Sequence, residues 1–135
     1  MVEEVVAKKI MIVEDNPVNQ KVMQKLVTTF GHQFLALEDG HQVLASVSSY
    51  EPDLILMDVQ LVEVSGSDLA RKIKSDVNTS KIPIVMVTAF ASPDDKERII
   101  KESRCNGFLA KPFKPEELGN MIARFFPINK IEWKK

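Results

Sequence analysis

Cysteine is almost absent from this sequence. The chain of 135 residues contains only Cys105, so an internal disulfide is excluded and a reducing compartment is expected. An excess of charge of one sign is also missing, because Lys and Arg number 18 while Asp and Glu number 19. This balance argues against a strongly basic nucleic-acid-binding protein.

Long hydrophobic segments are missing as well. The segment Met1 to Lys9 is charged and lacks the long apolar core of a secretory signal. No apolar run approaches the roughly 18 residues that are needed to cross a bilayer. Hydrophobic residues still make up 44% of the chain, which is enough for a core, and the length suits one domain. We therefore expect a cytoplasmic domain that binds neither nucleic acid nor membrane directly.

Three short runs are hydrophobic at consecutive positions, namely Ile10–Val13, Leu54–Met57 and Ile84–Val87. A strand with one face in water would alternate apolar and polar residues, whereas a continuous run is typical of a strand covered on both faces. Such strands form parallel sheets. Two weaker runs, Phe34–Leu37 and Phe108–Ala110, fit the edges of the same sheet.

Helical patterns lie between these runs. The first helix is predicted to follow the N-cap Asn16, with Pro17 in its first position, and to end at Gly31. Its predicted apolar face repeats every four residues and consists of Val18, Val22, Leu26 and Phe30. The fourth helix is predicted to begin at Ser92 and the fifth at Pro115. The residues that the fifth helix is expected to bury are Leu118, Met121, Ile122 and Phe125. A weaker pattern predicts a second helix at Val43, Leu44 and Val47, with Asp39 as a possible cap. Another predicts a third helix at Leu69 and Ile73, near Ser67.

Five strand-helix units in succession predict an α/β protein with helices on both faces of a parallel sheet. The expected fold is a flavodoxin-like (βα)5 three-layer sandwich with five strands in the order 2-1-3-4-5. Ligands of such sheets bind just outside the carboxyl ends of the strands, where the winding reverses. The residues that follow the strands are therefore the candidates for a site.

Polar residues follow four of the five strands. Glu14 and Asp15 follow the first strand, Asp58 the third, Thr88 the fourth and Lys111 the fifth. Three carboxylates at one edge repel one another unless a cation joins them, and hard oxygens without nearby Cys or His favour Mg²⁺. A carboxylate can also attack phosphorus. Lys111 and Thr88 would then stabilise the phosphoryl oxygens.

The motifs around these residues resemble the receiver domains of two-component response regulators. They are Ile12–Asn16, Leu56–Asp58, Val87–Ala89 and Ala110–Pro112. The resemblance covers about residues 8–126, which leaves 127–135 as a C-terminal extension. The segment Val13–Gln20 is most similar to receivers attached to hybrid sensor histidine kinases.

The resemblance implies a phosphorelay function without enzymatic turnover, apart from slow self-dephosphorylation. Asp58 would accept a phosphoryl group from a phosphohistidine on a histidine kinase or histidine phosphotransfer protein. Glu14, Asp15, Asp58 and the backbone carbonyl of Gln60 would hold Mg²⁺, for which Mn²⁺ could substitute. Lys111 would contact the phosphoryl group. The domain is expected to be a monomer or a weak dimer.

The resemblance also implies a conformational switch. Thr88 would turn toward the phosphoryl group, and Phe108 would turn inward and change the surface of the fourth helix, fifth strand and fifth helix. The peptide bond between Lys111 and Pro112 is expected to be cis, which proline tolerates. Gln60 and Phe90 are expected to border the path of the hydrolytic water, and a bulky Phe90 would slow hydrolysis.

This chain departs from the pattern of the family in the loop after Asp58. Val62 stands where a proline is usual, and Ser65 stands where an aspartate usually precedes Gly66. Neither position supplies a catalytic group. The departures concern the rigidity of the loop and the choice of partner.

Three alternative functions are open to a sequence of this kind. A metal-dependent phosphohydrolase would also use an aspartyl nucleophile, but it typically has a second acid where this chain has Gln60. A flavin-binding module needs a loop that attracts phosphate after the first strand, whereas this loop is acidic and contains Pro17. A receiver that only docks would not need Asp58, Thr88 and Lys111.

Overall fold

The computed structural model describes residues 6–126. Five parallel strands form one sheet, with the bounds β1 Lys9–Val13, β2 Gln33–Leu37, β3 Leu54–Asp58, β6 Ile84–Thr88 and β7 Gly107–Ala110. The labels β4 and β5 belong to Gln60–Leu61 and Val64–Ser65, which pair as a small antiparallel hairpin apart from the sheet. The sheet order is β2-β1-β3-β6-β7. Without the hairpin this is the predicted order 2-1-3-4-5, so the predicted fold is confirmed.

Four α-helices connect the strands of the sheet, and a fifth follows the last strand. Their bounds are α1 Pro17–Thr29, α2 Val43–Tyr50, α3 Gly66–Ser75, α4 Pro93–Ser103 and α5 Pro115–Phe125, and a 3₁₀ turn at Gly40–Gln42 precedes α2. Among the described helices, none has the length and apolar character that crossing a membrane requires.

Two separate hydrophobic cores explain why the central strands are apolar at every position. Alternate residues of a strand point to opposite faces of the sheet. Met11, Ile55 and Met86 therefore lie in one core, and Ile10, Leu54 and Val85 lie in the other. The first core is covered by α2, α3 and α4, and the second by α1 and α5. The result is the predicted three-layer sandwich.

The structure has N-caps at two of the helix starts that the sequence predicts, Asn16 and Ser92. The side chain of Asn16 accepts hydrogen bonds from the backbone N–H groups of Val18 and Asn19, both at 3.0 Å. The side chain of Ser92 accepts one from the N–H of Asp95 at 3.1 Å. Each cap satisfies helix N–H groups that have no partner within the helix, which is worth about 1 kcal/mol.

The predicted apolar face of α1 is wrong in part. Val18 is 70% exposed and Val22 is 48% exposed. The buried positions are Gln20, Met23 and Val27, while Leu26 and Phe30 pack beside them. Steps of four residues advance by about 400° at 3.6 residues per turn, so such a series rotates around the helix by about 40° at each step. Its first members have therefore left the face that the later ones share.

A smaller difference concerns the start of α3, and the boundaries of the domain are a separate matter. The N-cap of α3 is Ser65, whose hydroxyl accepts a hydrogen bond from Asp68 N–H at 3.2 Å, and Ser67 lies within the helix. The predicted extension 127–135 lies outside the described residues. The boundaries 8–126 of the domain stay a prediction.

Candidate functional site

The carboxyl ends of four strands meet along one edge of the sheet. Asp58 and Thr88 are the last residues of β3 and β6, and Glu14 and Lys111 come directly after β1 and β7. The strands are parallel and in register, with Val13 beside Met57 and Thr88 beside Ala110. The fold therefore delivers the predicted residues to the same edge.

Three carboxylates come together there. Glu14, Asp15 and Asp58 each offer an oxygen, and the three oxygens lie within 4.8 Å of one another. Ionised carboxylates at this separation repel one another, so a divalent cation among them would be strongly stabilised. All three donors are hard oxygens without a sulfur or imidazole among them, and they therefore fit Mg²⁺.

Lys111 provides the only ammonium that contacts this cluster within residues 6–126. Its Nζ donates hydrogen bonds to Oε1 of Glu14 and to Oδ2 of Asp58, the latter at 3.0 Å. Burial works to lower the pKa of Lys111, but its hydrogen bonds to the two carboxylates outweigh burial and raise the pKa above its usual range. The side chain therefore stays charged at neutral pH.

The backbone holds Lys111 in this position. Its N–H donates to the carbonyl oxygen of Thr88 at 2.8 Å. The peptide bond between Lys111 and Pro112 is cis. The hydrogen bond to Thr88 fixes Lys111 at the end of β7, and its side chain reaches across β6 to the carboxylates.

Glu14 and Asp58 differ in access to solvent. The side chain of Glu14 is 2% exposed, and its two oxygens accept hydrogen bonds from Lys111 and from Asn16 N–H. Burial raises the pKa of Glu14, and its hydrogen bond with Lys111 opposes that rise. The side chain of Asp58 is 12% exposed, and its Oδ1 accepts a hydrogen bond from Gln60 N–H at 3.1 Å. Asp58 is therefore oriented and also reachable.

Comparison with known proteins identifies the family. The family described as response regulator receiver domain matches residues 10–123 of this chain. The chain belongs to this family. Receiver domains accept a phosphoryl group in two-component phosphorelays and interact with histidine kinases or phosphotransfer proteins. Nothing in the comparisons favours the phosphohydrolase alternative.

Similar proteins include both response regulators and a receiver domain of a sensor histidine kinase. The polar-differentiation response regulator DivK of Brucella ovis is 40% identical over 105 residues, which cover 78% of this chain and 85% of the relative. The receiver domain of a sensor histidine kinase from Pseudomonas aeruginosa PAO1 is 35% identical with a TM-score of 0.81, and the match covers 89% of this chain and 98% of that one. That neighbour has a magnesium ion coordinated in its active site cleft. The chemotaxis protein CheY4 of Vibrio cholerae is 25% identical, also with a TM-score of 0.81, over 89% of this chain and 99% of that one.

Thr88 is buried at the end of β6 of this receiver domain. Its hydroxyl oxygen accepts a hydrogen bond from Phe90 N–H at 3.0 Å. A hydroxyl group can accept and donate at the same time, so the hydrogen of Thr88 stays available for a second partner. The ring of Phe90 is 48% exposed beside it.

Phe108 lies away from the carboxylates, on β7. It is half-buried against the core beneath α4, and the Nζ of Lys96 lies 5.7 Å from the centre of its ring. A surface cleft of about 430 Å³ runs beside it between α4, β7 and α5, and its lining includes Ala91, Asn120, Met121 and Arg124. The predicted switch residue therefore has open space next to its ring.

The sequence did not reveal the contacts of two residues at the site. The buried side chain of Gln20 donates from Nε2 to the carbonyl oxygen of Glu14 at 3.1 Å and so links α1 to the end of β1. A polar residue within an otherwise apolar helix face was its only signal. The backbone N–H of Val62 donates a hydrogen bond to Oδ2 of Asp15 at 3.0 Å. Because the donor is a backbone group, the side chains in the sequence give no sign of this bond.

Gln60 lies exposed in the hairpin, where its N–H contacts Asp58. The assignment of its carbonyl oxygen to a metal stays a prediction. His32 and His41 are not among the residues of the carboxylate cluster. Cys105 follows α4 and packs against the core.

Proposed function

We propose that Asp58 is the residue that accepts the phosphoryl group, from a phosphohistidine of a histidine kinase or a histidine phosphotransfer protein. One observation carries this choice among the three carboxylates. Asp58 alone combines contact with Lys111 with an accessible side chain, because Glu14 is buried and the described contacts of Asp15 do not include Lys111.

The transfer forms a bond between an oxygen of Asp58 and phosphorus. The bond between phosphorus and the donor nitrogen breaks, and its electron pair leaves with the imidazole, which takes up a proton. Lys111 then moves its ammonium toward the incoming phosphoryl oxygens, a short path because it already contacts Asp58 at 3.0 Å. Gln60 N–H keeps the attacking carboxylate oriented.

Mg²⁺, held by Glu14, Asp15, Asp58 and the carbonyl oxygen of Gln60, would supply the charge neutralisation that phosphoryl transfer needs. The close approach of three carboxylates supports this assignment, since within residues 6–126 Lys111 is the only charged partner that offsets their repulsion. Mn²⁺ prefers similar ligands and is proposed to substitute.

Incubation with acetyl phosphate and Mg²⁺, followed by intact mass measurement, tests this proposal. The wild-type protein and Glu97→Gln, which removes an exposed carboxylate on α4, should each gain one phosphoryl group. Asp58→Asn should gain none, and chelation of the metal should prevent the gain in the wild type and in Glu97→Gln. A phosphoryl group that persists on Asp58→Asn contradicts the assignment.

We also propose that Thr88 and Phe108 couple phosphorylation to the surface of α4, β7 and α5. The free hydrogen of the Thr88 hydroxyl would donate to a phosphoryl oxygen, and Phe108 would turn into the space that Thr88 leaves. In NMR spectra, phosphorylated Thr88→Ala should lose the shifts of this surface while Thr88→Ser keeps them. Full shifts in Thr88→Ala would disprove the coupling.

Phe90 is proposed to prolong the life of the acyl phosphate by shielding it from water. Its exposed ring two residues after Thr88 supports this role. Phe90→Ala should shorten the half-life of phosphorylated Asp58, whereas Phe90→Leu should change it less. An unchanged half-life in Phe90→Ala removes the support.

The setting of the domain is proposed as well. We place it in the cytoplasm, as a monomer or weak dimer that contacts protein partners rather than nucleic acid or membrane. The nearly equal numbers of acidic and basic residues and the single cysteine support this setting. Light scattering across a concentration series tests the oligomeric state, and a stable dimer at low micromolar concentration would contradict it.

A further inference from the structure

The hairpin of β4 and β5 contacts the site through its turn. The two central residues of the turn are Val62 and Glu63, since Leu61 pairs with Val64. Glu63 has a φ of 64°, and Val62 is not among the residues with positive φ. Positive φ at only the second central position is the pattern of a type II turn.

Val62 reaches Asp15 through its backbone alone. Its N–H donates to Oδ2 of Asp15 at 3.0 Å, across 47 positions of sequence. The residue itself is 68% exposed, so its side chain lies largely in solvent. A hydrogen bond from N–H to a carboxylate is charge-assisted and stronger than one between neutral groups.

We propose that the N–H of Val62 is a positioning group for Asp15, which holds that carboxylate beside Glu14 and Asp58 for a divalent cation. The inference rests on the proposed function, because it assumes that these carboxylates bind Mg²⁺. An aspartate side chain chooses among staggered rotamers, and a directional hydrogen bond restricts that choice. Hydrogen bonds of this kind to metal ligands commonly decide metal affinity.

Position 62 is one of the two positions at which this chain departs from the family pattern, with valine where proline is usual. A proline has no N–H and could not make this bond. The chain therefore holds Asp15 by a contact that its own sequence permits and that the usual residue of the family would remove.

The turn geometry allows a direct test. Val62→Pro removes the N–H, and proline suits the first central position of a type II turn. Leu61 before it lies in a strand, which is the conformation that a following proline requires. Val62→Ala keeps the N–H and removes most of the side chain, so it is the matched control.

Calorimetric titration of the full chain with Mg²⁺ gives the main measurement. Val62→Ala should bind like the wild type, and Val62→Pro should bind about 3- to 10-fold more weakly, less than the full range for partners of metal ligands because the contact is partly exposed. Thermal unfolding of Val62→Pro should remain one cooperative transition no more than a few degrees below that of the wild type, since the lost hydrogen bond is partly offset by the lower entropy of the unfolded chain, and this separates positioning from misfolding.

A second measurement does not depend on metal or on proline. In the metal-free protein, Asp15→Asn should move the amide proton of Val62 upfield, because the charged acceptor is gone. An unmoved amide proton overturns the inference, as does equal Mg²⁺ affinity of Val62→Pro and Val62→Ala. If the wild type binds no Mg²⁺, the metal-dependent proposed function fails, and the inference fails with it.

Discussion

Asp58→Asn should stabilise the metal-free protein even though it destroys the proposed phosphorylation site. The substitution removes one of three negative charges that lie close together and keeps the size of the side chain. The amide oxygen can still accept a hydrogen bond from Gln60 N–H. Charge is therefore the main property that changes.

The distances give the expected magnitude. The oxygens of Glu14 and Asp15 lie within 4.8 Å of that of Asp58, so each repulsion is about 3.5 kcal/mol at an effective dielectric constant of about 20. The attraction to Lys111 at 3.0 Å is about 5.5 kcal/mol on the same scale. Two repulsions exceed one attraction by about 1.5 kcal/mol, and screening by salt reduces the expected gain to about 1 kcal/mol.

Urea unfolding with a chelator and with Mg²⁺ measures this effect. Without metal, the free energy of unfolding of Asp58→Asn should exceed that of the wild type. With Mg²⁺ at about 100 times the dissociation constant, the wild type should gain about 2.7 kcal/mol, and the variant, which lacks one ligand, should gain less. The order of stability should reverse once the variant binds Mg²⁺ more than about 6-fold more weakly than the wild type, because its gain then falls below about 1.7 kcal/mol.

Glu97→Gln is the control for net charge, because it removes a carboxylate from an exposed position on α4. It should leave both free energies within about 0.5 kcal/mol of the wild type. The reasoning is refuted if Asp58→Asn is less stable than the wild type in chelator, or if Glu97→Gln produces the same gain.

Three further predictions test other parts of the molecule. Gly66→Ala should destabilise the protein by about 3 kcal/mol and slow its phosphorylation, since a Cβ at Gly66 would lie 1.9 Å from the carbonyl oxygen of Asp58. Urea unfolding measures the stability and intact mass measures the phosphorylation. Wild-type values in both would contradict the prediction. The Nδ1 of His32 accepts a hydrogen bond from the N–H of Lys8 at 3.1 Å, and burial lowers the pKa of this histidine. The unfolded chain therefore takes up a proton more readily than the folded protein, so the free energy of unfolding should fall as the pH drops below 6.5. His32→Asn should reduce that slope in urea midpoints, and an equal slope would exclude His32 as its source. Asn16→Ala should cost about 1 kcal/mol in urea unfolding through the lost cap of α1, while no loss would show that the cap contributes nothing.

The central strands could be predicted because burial on both faces leaves a plain pattern. The runs around Met11, Ile55 and Met86 are apolar at every position since each face of the sheet has its own core. The site residues followed from the strands, because parallel strands end at one edge. Asp58 and Lys111 could therefore be placed near each other, although 53 positions separate them in sequence.

Features that leave no distinctive pattern of side chains in the sequence could not be predicted. The strands of the β4–β5 hairpin have two residues each, which is too short for any periodic pattern. The bond from Val62 to Asp15 uses a backbone group that every residue except proline has. The buried face of α1 depends on how the helix packs, and the exposed Val18 and Val22 show that hydrophobic character alone does not determine it.

The position of β7 at the border of the sheet bears on the energy of any movement there. This strand pairs only with β6 in the described sheet, so its outer N–H and C=O groups make no hydrogen bonds to a second strand that a movement would have to break. Phe108 and Leu109 on it point into different cores, so a twist of the backbone affects both layers at once. A rearrangement at Phe108 therefore costs fewer backbone hydrogen bonds than it would in a central strand, and helices on both sides of the sheet can respond to it.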